Sequence, residues 1–398
     1  MSPMGDGALA SRVAALEDAA IKLDRTPGPH QGHANATRWK LFEEWDILHT
    51  EIGAAANSPV HEQLQQSLSH LEKKLAPCPL QNARGPLYLL SGAMRLLGLG
   101  IFMAMLAVLV SPALVILTLG EDLLIRRGKM HWNERWSPCA KRVMAWWMLQ
   151  ILGIKLAVEG EQHISPCLVL FTHGSYLDPI LLVASYRCGF KALTKAEVFF
   201  LPYIGMLGAS LGSVPIERRK RDKAIQTLSG LGRWLKEVGD SIVIAPEGTR
   251  SKTGNLTSFK KGPFHLQQDL QCDIMLATIG GNHLIWPPAK PFPATGRIYI
   301  RYEKPFKPGP GMSREDVMLE VRQGFNRAKR SLPEVCAGPL TLLERLGTCA
   351  ACAITYLTAW LLLVLASQLR AAAGMNVTQW AVVWLGYTVA STALVAVK

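Results

Sequence analysis

The apolar positions change their spacing several times along the chain, and each change predicts a different kind of element. In the first 85 residues, Ala8–Glu17 and Leu64–Leu75 place apolar residues at helical intervals with polar faces between them. Asp24 to Asn35, broken by Pro, Gly and His, separates the two, so residues 1–85 read as a helical N-terminal arm. Leu96–Leu119 then runs for 24 residues without a charge, long enough to span ~30 Å of hydrocarbon with some tilt. Residues 86–120 are read as a transmembrane span. A re-entrant hairpin is the alternative, because Gly98, Gly100 and Ser111-Pro112 lie inside the segment.

Over 121–345 the period alternates. Strand-like runs fall at Lys155–Glu159, Cys167–Thr172, Ala192–Lys195, Gly212–Glu217, Ser241–Ala245, Ile274–Ile279 and Arg297–Tyr302. Helical spacing falls at Pro179–Tyr186, Ala224–Val238 and Arg314–Ala328. Such alternation predicts an α/β fold, a central mainly parallel sheet flanked by helices. Lys141–Leu152, apolar with two tryptophans, fits either a core helix or one lying in a membrane interface. Two further apolar stretches, Ala353–Leu369 and Trp380–Val397, predict a C-terminal transmembrane hairpin over 346–398.

Charge and cysteines sharpen this outline. Residues 121–345 hold 32 Lys+Arg against 20 Asp+Glu, which is most of the chain's net charge of +13. The apolar flanks direct that basicity towards anionic lipid and phosphorylated ligands, and no nucleic-acid partner is expected. Arg126, Arg127, Lys129 and Arg135 follow the first apolar segment, so the positive-inside rule puts the α/β domain on the cytoplasmic face. The N-terminus lacks a basic stretch followed by an apolar core, so no signal peptide is expected. The eight cysteines are scattered, which suits a reducing compartment and suggests no disulfide framework. No His/Cys/carboxylate cluster has metal-ligand spacing, and self-association through the arm is the only protein partnership the pattern suggests.

The chemistry-bearing residues follow strand-like runs. Cys167–Thr172 leads directly into His173-Gly-Ser-Tyr-Leu-Asp178-Pro179. A carboxylate that takes the proton of one imidazole nitrogen leaves the other nitrogen free to deprotonate a hydroxyl. The plain alternative is that Asp178 caps the helix opened by Pro179 and that His173 is an ordinary loop residue. Ser241–Ala245 likewise delivers Pro246-Glu247-Gly248-Thr249-Arg250. Gly212-Ser-Val-Pro-Ile-Glu-Arg218 opens a dense basic run ending at Lys223, and Phe259-Lys260-Lys261-Gly262 is a further basic turn.

Together these four blocks, in this order and spacing, resemble the 1-acyl-sn-glycerol-3-phosphate acyltransferase family. The resemblance covers about Val143 to Phe306. It implies an acyl-CoA-dependent O-acyltransferase that makes phosphatidate from lysophosphatidate, with acyl-CoA as co-substrate and no cofactor or metal. His173 would be the base and Asp178 its orienting partner. Arg218 and Arg250 would bind the acceptor's phosphate, and Glu247, Gly248 and Thr249 would shape its pocket. Lys260 and Lys261 would be accessory phosphate contacts. The family implies an integral membrane protein, of the endoplasmic reticulum if eukaryotic, with its active site facing the cytoplasm. The chain departs from the family in having Thr172 where asparagine usually precedes the histidine, and no proline in Asp273–Ile279. The second departure bears on acceptor and acyl-chain choice. Three alternatives stay open: the same chemistry on another lysophospholipid such as lysophosphatidylcholine, a serine hydrolase using Ser175, and a non-catalytic lipid-binding protein.

Overall fold

The computed structural model describes residues 6–24, 41, 44–45, 66–67, 86–160, 162, 166–200, 205, 208, 210–216, 221–288, 290–309, 311–332 and 340–379. Helix α1 (Asp6–Asp24) lies in the arm. The first apolar segment is helical from end to end, as α2 (Pro86–Met105), a π-helical turn at Leu106–Val110, and α3 (Ser111–Arg126). The wide turn falls where Pro112 opens α3. A proline ring clashes with the carbonyl four residues back and donates no N–H, so the preceding turn loosens. Helix α4 (Ser137–Leu152) leads into β1 (Ile154–Glu159), followed by β2 (Leu168–Phe171), α5 (Asp178–Ser185), β3 (Phe190–Lys195) and β4 (Ser213–Ile216). Then come α6 (Arg221–Val238), β5 (Ser241–Ile244), α7 (Gly262–Leu270), β6 (Ile274–Gly280), the single turn α8 (Asn282–Ile285), β7 (Gly296–Tyr302), α9 (Arg314–Ser331) and α10 (Leu342–Ala372).

The seven strands form one sheet in the order β1-β7-β6-β2-β5-β3-β4. Every pairing is parallel except β6 with β7. Strand β2 sits in the middle. Leu168, Val169 and Leu170 have no exposed surface, the mark of a strand covered on both faces. Its parallel neighbours β5 and β6 are equally apolar, and all three end on the same edge of the sheet. Two apolar layers cover the sheet. One packs α2, α3, α4 and α5 against it through Leu99, Leu114, Met148, Leu149, Leu181 and Leu182. The other uses Leu231, Phe264, Val317, Val321 and Phe325 of α6, α7 and α9.

Helix α1 and the first apolar segment are both tied to this domain. Val13 and Leu16 of α1 are buried in the second layer, so this helix packs on the domain. Along α2, Arg95 is buried and donates to the carbonyls of Leu152, at 2.6 Å, and Pro293, at 3.1 Å. Gly92 lies so close to Phe292 that a Cβ there would meet its Cβ at 2.9 Å. Along α3, Ser111 hydrogen-bonds to Ser210, Glu121 and Asp122 surround Arg135, and Arg126 pairs with Glu237. A segment held at both ends by one domain lies along it. The outward face remains apolar, with Leu90, Leu97, Leu109, Ile116 and Leu123 exposed.

Of the C-terminal pair, α10 begins 11 residues before Ala353 and includes the first stretch. It is long and apolar enough to cross a membrane by length and composition. Its first half packs on α2 and α4, with Trp147 Nε1 donating to Thr355 Oγ1 and Tyr356 OH to the Met94 carbonyl. Trp380–Val397 lies outside the described residues. In helix α4, Met148, Leu149 and Ile151 are core, whereas Val143 and Trp146 are exposed.

Candidate functional site

Three adjacent strands bring the site together at their carboxyl ends, where a parallel sheet opens a crevice. From β2 comes His173. Its Nδ1 lies 2.7 Å from Asp178 Oδ2, and the two side chains are 21% and 0% exposed. Asp178 does not cap α5: it is the helix's first residue, and its carboxylate turns back onto the loop. There Oδ2 also accepts from the N–H groups of Gly174, at 2.9 Å, and Ser175, at 3.0 Å. With Nδ1–H committed to this carboxylate, Nε2 is the basic atom of the ring.

The second loop follows β5. Glu247 is 2% exposed and spends both oxygens on the protein. Oε1 accepts from the His173 N–H at 2.9 Å, and Oε2 from the Thr257 N–H at 3.0 Å and hydroxyl at 2.8 Å. The Ser251 N–H donates to the His173 carbonyl at 2.8 Å. The buried carboxylate thus ties Thr257 to the histidine backbone, and a backbone hydrogen bond adds Ser251. Gly248 adopts φ +70°, a left-handed conformation that a side chain would strain. Thr249 is exposed beside it. Arg250 lays its guanidinium over the Tyr176 ring, 3.8 Å from the centroid, and Tyr176 packs against Trp286.

The basic turn divides. Lys260 donates its N–H to the Pro246 carbonyl, and its side-chain carbons lie against Gly248, at the site. Lys261 pairs with Glu315 of α9 at 3.5 Å and lines a cavity of about 530 Å3 with Trp45, Phe259, Met318 and Arg322. Arg218 lies outside the described residues.

The third strand, β6, brings residues the sequence did not single out. Asn282 Nδ2 is 2.6 Å from Asp178 Oδ1, and His283 Nδ1 is 3.2 Å from the Gly174 carbonyl. The signal available was their place just after a strand, with no spacing to link them to His173. Thr172 also has a structural task, its hydroxyl accepting the Ile279 N–H at 3.0 Å.

Other nucleophiles are engaged elsewhere. Ser175 is fully buried, and its hydroxyl donates to the Trp286 carbonyl at 2.7 Å and accepts the Leu177 N–H at 3.2 Å. Cys167, at the start of β2, has its thiol pushed up to about 12 by burial, against the smaller opposing effect of Tyr186 and Ser241. A buried thiol of that kind is inert. Among the described residues, no three His, Cys, Asp or Glu side chains gather as a metal-binding group.

Residues 155–280, which include the His173–Asp178 pair and Arg250, match the family model named Acyltransferase. The match covers about a third of the chain. The chain is 28% identical over 184 residues to a 1-acyl-sn-glycerol-3-phosphate acyltransferase of Cocos nucifera, covering 46% of this chain and 57% of that protein. It is 30% identical over 184 residues to the protein of that name from Saccharomyces cerevisiae, covering 45% and 59% respectively. The chain therefore spans less than two thirds of the length of these relatives. The crystal structure of the 1-acyl-sn-glycerophosphate (LPA) acyltransferase PlsC of Thermotoga maritima superposes with a TM-score of 0.46 at 20% identity, covering 61% of this chain and 98% of that one.

Proposed function

We propose that the protein is an acyl-CoA-dependent O-acyltransferase that converts lysophosphatidate to phosphatidate at a membrane surface. The observation that carries the reading is the 2.7 Å contact between His173 Nδ1 and a fully buried Asp178, with Arg250 held nearby by Tyr176. In this reading Nε2 takes the proton from the acceptor's glycerol hydroxyl as its oxygen attacks the thioester carbonyl. The tetrahedral intermediate collapses by breaking the carbon–sulfur bond. The departing coenzyme A thiolate takes the proton back from Nε2, and the histidine returns to its starting state. Base catalysis of this kind contributes ~10²–10⁴-fold. Alignment of the two substrates supplies the remainder.

Arg250 meets the acceptor's phosphate. Its face is stacked on Tyr176, which leaves the N–H groups along its edge to form a two-point contact. Arg218 and Lys260 add positive charge. Glu247, accepting hydrogen bonds through both oxygens, orders the loops. The exposed apolar faces of α2, α3 and α10 hold the protein at a bilayer, and the basic flanks of the domain favour a cytoplasmic active site in the endoplasmic reticulum membrane.

Purified protein, supplied with labelled acyl-CoA or acyl carrier protein and a panel of lysophospholipids, tests the reading. Transfer from acyl-CoA to lysophosphatidate is expected, and His173→Ala should abolish it. Turnover by His173→Ala within tenfold of wild type would refute the mechanism. Transfer from acyl carrier protein alone, or to lysophosphatidylcholine in preference, would reassign the substrate.

A further inference from the structure

The two oxygens of Asp178 are held from different directions. Oδ2 takes all three donors of its own loop, His173 Nδ1 and the N–H groups of Gly174 and Ser175. Oδ1 is met by one side chain, Asn282, at 2.6 Å. Asp178 has no exposed surface and Asn282 has 5%, so the contact is closed to bulk water. An ionised carboxylate can only accept, which identifies the facing group as the amide NH2. Asn282 reaches this position because Gly281 turns the chain after β6 at φ 86°, and because His283 anchors the same turn to the Gly174 carbonyl.

We propose that Asn282 is a positioning residue for the His173–Asp178 pair. Its amide fixes the plane of the carboxylate, so that Oδ2 stays in line with Nδ1. It faces the carboxylate oxygen that His173 does not use, so a change at Asn282 reaches the imidazole through Asp178. The inference rests on the reading of His173 as the base.

Steady-state transfer by the full-length Asn282→Ala and Asn282→Asp proteins, measured across pH beside wild type and His173→Ala, tests it. Removal of the amide should lower kcat by ~10–100-fold and leave KM for both substrates within about twofold. Asn282→Asp keeps the shape but sets a second carboxylate against the first. A like charge there retains the imidazolium, so the acidic limb of the kcat profile should move up by about one pH unit. A purely structural residue would lower the melting temperature and kcat together without moving that limb. If wild type transfers, His173→Ala does not, and the limb stays in place in Asn282→Asp with kcat unchanged or falling only with stability, the proposal is wrong. Turnover retained by His173→Ala would instead sink the base reading, and this inference with it.

Discussion

Glu247→Gln separates a residue that holds the site from one that binds substrate. The carboxylate accepts three hydrogen bonds, two through Oε2 and one through Oε1, and is 2% exposed. Glutamine has the same size but offers one acceptor oxygen. Whichever way the amide turns, its NH2 faces an N–H or a hydroxyl that had been donating. Hydrogen bonds to a charged group contribute ~1.5–3 kcal/mol each, and a buried donor left unpaired costs ~1–3 kcal/mol. A loss of about 2–4 kcal/mol is therefore expected, which corresponds to a fall of ~5–15 °C in melting temperature for a domain of this size. Because Oε1 holds the His173 N–H, kcat should fall by ~10²-fold, the cost of misplacing a reacting group by about an ångström. Thermal unfolding in detergent and steady-state kinetics on the same preparation measure both. A melting temperature within 1 °C of wild type, with the whole defect in KM for the lysophospholipid, would refute the reasoning and make Glu247 a substrate ligand.

Arg250→Lys restores charge without the planar fork or the stacking on Tyr176, so KM for lysophosphatidate should rise about tenfold while KM for the acyl donor stays level; an equal rise for both would move Arg250 to the coenzyme. Burial alone would raise the Asp240 carboxyl, but Lys191, 3.1 Å away, and Arg135 hold it below its usual value. A lowered value in the folded state means stability that is present above the unfolded carboxyl's pKa of ~3.9 and is lost as pH falls through the folded one. Acid unfolding of Asp240→Asn should accordingly show a weaker pH dependence in that range, and an unchanged slope would remove Asp240 from the account. Since α1 packs on the catalytic domain and α2–α3 lies along it, the acceptor sequence Asn35-Ala-Thr37 should stay unglycosylated in a eukaryotic secretory membrane. An endoglycosidase-sensitive mobility shift lost in Asn35→Gln would contradict that arrangement. Asn255 is a poor second reporter because it is 1% exposed.

The sheet was legible from the sequence because burial on both faces demands unbroken apolar runs. Cys167–Thr172, Ser241–Ala245 and Ile274–Ile279 each enclose or nearly coincide with an observed strand. The approach of His173 to Asp178 was legible for a related reason: both stand in one short loop, so local geometry alone keeps them near. The tertiary structure decided what depends on strand order. Only the adjacency of β6, β2 and β5 brings Asn282 and Glu247, 109 and 74 residues from His173, onto one constellation. It also decided which polar groups meet the helices over 86–126. A charge-free stretch such as residues 96–119 satisfies a bilayer and a protein surface equally well. What the sequence does not show is the polar partners far away along the chain, Pro293 for Arg95 and Ser210 for Ser111. Hydropathy records how apolar a segment is, and the fold determines what each of its faces meets.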